Sequence, residues 1–176
     1  FQVRFCTIGR IVMSETITRI DAKAELANWT RRIAGMYVAD LKALDETAIS
    51  ASAGGAARTA QEFTAEVAGF NLMVAQKLRG EDAPSRTDEE RAAFSALFSN
   101  KEECISRLSS SSEELASAIE FASEESMTET VELPWGESMS KWALANLCTN
   151  HIFYHDGQLN LIQALKGDAE MHWFDQ

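Results

Sequence analysis

Residues 150–167 read NHIFYHDGQLNLIQALKG and carry two of the three histidines in the chain, His151 and His155. Spaced i and i+4, they stack on one face of a helix, one turn apart. Working outward, Leu144, Cys148, His151, His155, Leu159 and Ile162 recur at three- and four-residue steps. The imidazoles therefore lie on the stripe that faces the core. Two histidines in such a seam need hydrogen-bond partners or a metal ion. Neutral imidazole is the commonest metal ligand, so the pair points to a site that a third ligand must complete.

The remaining helices are read from caps and breaks. Ser14 can open a helix reaching about Thr47, with Ile17, Ile20, Leu26, Ile33, Tyr37, Leu41 and Leu44 as its apolar stripe; SASAGG (50–55) ends it. Thr59 with Glu62 forms a capping-box pattern for a second helix that Gly80 stops, and Pro84 marks the following turn. Thr87 with Glu90 opens a short helix to about Phe98, and Asn100 with Glu103 opens one to about Ser123. Residues 124–137 read as a linker with an extended piece at 130–133, after which Ser138 caps the helix of the histidines, ending at Gly167. Trp135 and Trp142 are expected to seal the core, and the tail with Trp173 and Phe174 to dock on it. The fold class is all-α: a four-helix bundle with a short extra helix and a docked C-terminal tail.

A bundle builds its sites from side chains that project inward from facing helices. Glu66 is the acid that sits on an apolar stripe, among Phe63, Val67, Phe70, Met73 and Val74. A carboxylate there must be protonated, paired or bound to metal. The competing reading pairs it with Arg31, Arg32 or Arg58. Cys148, a turn before His151, can serve as a thiolate ligand or as a small apolar filler, and filler is preferred. His172 lies in the tail and is a poor candidate. Gln158 is favoured over Asp156 as the group that orients an imidazole. Glu66, His151 and His155 thus form the candidate metal set, and two imidazoles with one carboxylate leave coordination positions open.

Composition narrows the partners. The chain has 176 residues, a net charge of −11 and no basic run. Nucleic acid and anionic membrane surfaces are therefore excluded as primary partners, and no stretch is apolar enough to span a bilayer. Three scattered cysteines fit a reducing, cytoplasmic setting rather than a disulfide framework. Residues 1–12 are expected to be an extension without a function, poor as a signal peptide, and residues 13–176 the domain.

With TAQEFTAEVAGFNLMVAQKLRG (59–80), VELPWGESM (131–139) and the H-x3-H-x-G-Q pattern beginning at His151, residues 14–167 resemble the DinB-like superfamily of metal-binding four-helix bundles. In that family a histidine on the second helix joins the H-x3-H pair. Here Glu66 stands in its place, a harder donor set that shifts the choice among zinc, nickel, iron and manganese. The resemblance implies a divalent metal, zinc first, a small-molecule substrate, activation of a low-molecular-weight thiol or of water, and a homodimer. Two other classes remain open: a non-catalytic bundle with a buried hydrogen-bond network, and a metal-binding protein without turnover.

Overall fold

The computed structural model describes residues 20–83 and 85–174. The expectations for residues 1–12, Met13, Ser14, Ile17 and Pro84 lie outside them. Seven helices and one hairpin follow in order: α1 (Ala22–Ala43), α2 (Glu46–Ile49), α3 (Ala60–Arg79), α4 (Asp88–Ser95), α5 (Lys101–Phe121), α6 (Glu124–Thr128), β1 (Thr130–Glu132), β2 (Ser138–Ser140) and α7 (Lys141–Leu165).

The long helices α1, α3, α5 and α7 form the bundle. α1 and α3 each pack on both α5 and α7. Candidate ligands on α3 and α7 thus belong to neighbouring helices. The fold is the expected four-helix bundle, with three short helices rather than one among the described residues.

Caps explain most boundaries. Thr59 accepts from the Glu62 amide while Glu62 returns to the Thr59 amide, so the box opens α3 as its spacing indicates. Gly80 closes α3 at φ 77°, the left-handed geometry that glycine supplies without a Cβ penalty. Thr87 and Glu90 repeat the box at α4. Asn100 caps α5 through the Glu103 amide at 2.9 Å.

Several boundaries differ from expectation. Asp21 caps α1, accepting from the Lys23 and Ala24 amides at 3.1 Å each, and Ile20 lies outside the helix and exposed. α1 stops at Ala43, because Leu44 turns extended and α2 begins anew. α4 ends at Ser95 rather than Phe98, and α5 at Phe121 because Ser123 caps α6 instead. Ser140, not Ser138, caps α7; Ser138 pairs with Glu132 in the hairpin. Trp135 and Trp142 do not seal the core: they are 52% and 36% exposed. The serine run in α5 stays helical because Ser111 and Ser112 face the interior and receive the Asn71 amide at 3.4 and 3.1 Å.

The core holds Tyr37, Phe63, Leu108, Leu115, Leu144 and Ile152, all buried. Two pairs of its polar side chains meet across helices: Tyr37 with Thr64 and Thr30 with Thr149, each at 2.8 Å. The tail docks through Trp173, whose indole N–H donates to Asp40 Oδ2 at 2.9 Å, while Phe174 stays exposed. Among the described residues no helix is long and apolar enough to cross a membrane.

Candidate metal centre

Residues 63, 66 and 70 lie within two turns of α3, so Phe63, Glu66 and Phe70 share a face. Residues 151 and 155 do the same on α7. Phe63 stacks on His155 with ring centroids 5.5 Å apart and planes 18° apart. Phe70 meets His151 edge-on, 4.9 Å away at 68°. Glu66 sits between the two phenylalanines, so its carboxylate comes level with both imidazoles. The packing of apolar rings sets the register of the polar atoms.

Three ligand-type atoms converge here. Nε2 of His151 and Nε2 of His155 are 3.1 Å apart. Glu66 Oε1 lies 3.4 Å from the first and 3.7 Å from the second. A triangle with those sides has a circumscribed radius of about 2.0 Å, and zinc binds nitrogen and oxygen at about 2.0–2.2 Å. One ion can therefore touch all three atoms from close to their plane. The residues fit a metal as they stand, and among the described residues they are the cluster with the right spacing.

The surroundings prepare each donor. Nδ1 of His155 is 2.8 Å from Gln158 Oε1. Its N–H donates to that carbonyl, which leaves the Nε2 lone pair directed at the centre. Gln158 is held in turn by donating its amide to the Tyr154 hydroxyl at 3.1 Å. His155 is buried and His151 half-buried. His151 Nδ1 has no hydrogen-bond partner among the described residues. Glu66 is 43% exposed and divides its oxygens: Oε2 forms an ion pair with Arg58, and Oε1 faces the histidines. The facing imidazole of His151, then that of His155, and Arg58 hold the carboxyl far below the usual carboxylate range, against the effect of partial burial. It is an anion at neutral pH. The ion pair with Arg58 is the one the competing sequence reading expects, while the other oxygen of Glu66 faces the two histidines.

The remaining candidates fall elsewhere. Cys148 is fully buried, its thiol donates to Asn71 Oδ1 at 3.3 Å, and burial pushes its pKa well up. It is a core filler, as preferred. His172 stands on the tail with Nε2 2.8 Å from Asp168 Oδ2, away from the cluster. Asp156 turns from the centre toward Asp40 and the docked tail, and it is fully buried. What the sequence reading missed is the use of Phe63 and Phe70 to fix the imidazole planes; their i−3 and i+4 spacing from Glu66 was the available signal.

Neither a family model nor a curated protein sequence matches the chain. Two crystal structures of the mycothiol-dependent maleylpyruvate isomerase do superpose on it. One, of a histidine-to-alanine mutant, gives a TM-score of 0.67 at 18% identity. The other gives 0.63 at 19%. Each alignment covers 78% of this chain and 60% of the isomerase. The chain has the DinB-like fold. At that identity the likeness establishes the architecture of the DinB-like bundles, and this chain spans three-fifths of the isomerase's length.

Proposed function

We propose that this DinB-like protein is a divalent-metal enzyme in which Glu66, His151 and His155 hold the ion. The observation that carries the reading is the convergence of Glu66 Oε1 and the two Nε2 atoms on one point. One carboxylate and two imidazoles suit zinc first, with iron, nickel and manganese as alternatives. When bound, such an ion makes a thiol or water a nucleophile at neutral pH by lowering its pKa. The substrate is a small electrophile, and the thiol is of low molecular weight, as mycothiol is for the isomerase of the same fold.

The chain's own residues supply positioning. Gln158 keeps the His155 proton on Nδ1, Phe63 and Phe70 fix the ring planes, and Arg58 anchors the second oxygen of Glu66. Beside the centre, a cleft of about 510 Å³ includes Glu66, Phe70 and Met73 in its wall and can take a small molecule. The unpaired thiols of Cys104 and Cys148 in the core support a cytoplasmic setting. A homodimer and a single domain over residues 13–176 belong to the same reading.

The test is turnover of a low-molecular-weight thiol with 1-chloro-2,4-dinitrobenzene by zinc-loaded protein, beside its zinc content and that of His155→Ala. The reading expects zinc in the wild type, little in the variant, and a rate lost with chelator. Zinc without turnover for any thiol and electrophile would favour a metal-binding protein. Negligible metal in both proteins would favour the network reading, which the Arg58–Glu66 pair supports.

A further inference from the structure

The cleft beside Glu66 reverses the charge of the molecule. The chain has 27 acidic and 16 basic side chains. The cleft, by contrast, is lined by three arginines, Arg58, Arg86 and Arg91, against two carboxylates, Glu62 and Glu66. Two of the arginines are engaged: Arg58 pairs with Glu66, and Arg91 pairs with Asp88 and donates to the Arg86 carbonyl. Arg86 is different. Its guanidinium lies over the Phe94 ring, 4.3 Å from the centroid, and no carboxylate pairs with it among the described residues. Stacking uses the flat face of the group and leaves its N–H edge, which matches a carboxylate in a bidentate fork.

The placement of Arg86 depends on Gly69, which follows Glu66 by three residues and so shares its face of α3. A Cβ at Gly69 would stand 3.2 Å from Arg86 Nη1 and 3.3 Å from Phe94 Cε1. Glycine inside a helix is destabilising relative to alanine. Here it lets a cation and an aromatic ring from the α4 segment approach the helix one turn from Glu66. The result is a half-buried cation, apolar walls from Phe70, Met73 and Phe94, and Glu66 of the ligand cluster, all on one cleft.

We propose that Arg86, seated over Phe94 against Gly69, binds the carboxylate of the electrophile that reacts at the Glu66–His151–His155 centre. The substrate class is then a small organic acid with an apolar body. This assignment rests on the proposed function for the reacting centre, but the subsite itself does not require a metal.

Calorimetric titration with cinnamate and with its neutral counterpart cinnamamide tests it, on chelator-treated and zinc-loaded protein. Wild type is expected to bind the acid about tenfold or more tightly than the amide in both states, the range of a charge-assisted bond. Arg86→Gln should erase that preference while leaving amide affinity unchanged, which also shows that the variant is folded. Arg86→Lys should keep part of it. Gly69→Ala, which displaces both Arg86 and Phe94, should reduce it independently. Equal affinity of wild type for acid and amide, or no saturable binding of either, overturns the proposal. So does a preference that appears only with zinc and survives Arg86→Gln, because the acid then binds the ion. An Arg86-dependent preference in a protein that fails to retain zinc upholds the subsite and removes only the metal reading.

Discussion

Nδ1 of His155 and Oε1 of Gln158 are 2.8 Å apart, within one turn of α7. That bond fixes which imidazole nitrogen carries the proton and aims the other at the Glu66–His151 gap. Gln158→Leu removes the acceptor and keeps much of the volume. Loss of such an outer partner typically weakens metal binding about 10–100-fold. Competition with a chromophoric zinc chelator should record a drop of that order. An unchanged affinity would mean that the amide does not organise the ring.

Glu66 has two partners, and one substitution separates their contributions. Glu66→Gln preserves shape and removes the charge shared by Arg58 and the histidines. An exposed ion pair is worth about 0–1 kcal/mol, so metal-free stability should fall by no more than that. Zinc affinity should fall much further, because an amide oxygen is a poorer ligand than a carboxylate. Glu66→His should restore it with three imidazoles. Denaturation in chelator, paired with zinc titration, measures both effects. Equal zinc affinity in wild type and Glu66→Gln would remove the carboxylate from the ligand set.

On the opposite side of α7, Asp156 is fully buried, and neither carboxyl oxygen finds a hydrogen-bond partner among the described residues. Burial, then the neighbouring charge of Asp40, pushes its pKa up to about 8, far above the usual carboxylate range. The folded protein therefore holds this proton where the unfolded chain has released it. Stability contributed by the protonated carboxyl is full below about pH 4 and is lost as pH rises toward 8. Asp156→Asn mimics the neutral form. It should raise Tm at pH 8 by several degrees, since about 1 kcal/mol corresponds to about 2–4 °C in a domain of this size. Melting curves from pH 5 to 8 should be flatter for the variant. Parallel curves for the two proteins would contradict the assignment.

Much of the site was legible because its signals are local. The His151–His155 spacing, the Thr59–Glu62 box and the Gln158 position all lie within a helical turn or two; the structure forms the box, sets Gln158 against His155 and brings the two Nε2 atoms to 3.1 Å. Glu66 was found by contrast with its apolar neighbours. The ends of α1 and α7 were misplaced because competing caps stood nearby: Asp21 satisfies two amides, and Ser140 rather than Ser138 meets the Ala143 amide. The exposure of Trp135 follows from the hairpin turn at Leu133–Glu137, too short a feature to show a hydrophobic period. The approach of Arg86 and Phe94 to Gly69 joins segments 17 and 25 residues apart. No periodicity reports such a contact.

The proposed centre is one ion bound by an acid from α3 and two imidazoles from α7. X-ray absorption at the zinc edge of the loaded protein tests it most directly. The expected spectrum has an oxygen and nitrogen shell at about 2.0–2.2 Å with the outer-shell pattern of two imidazoles, reduced in His155→Ala. A sulfur shell at about 2.3 Å, or an imidazole pattern unchanged in that variant, would contradict it.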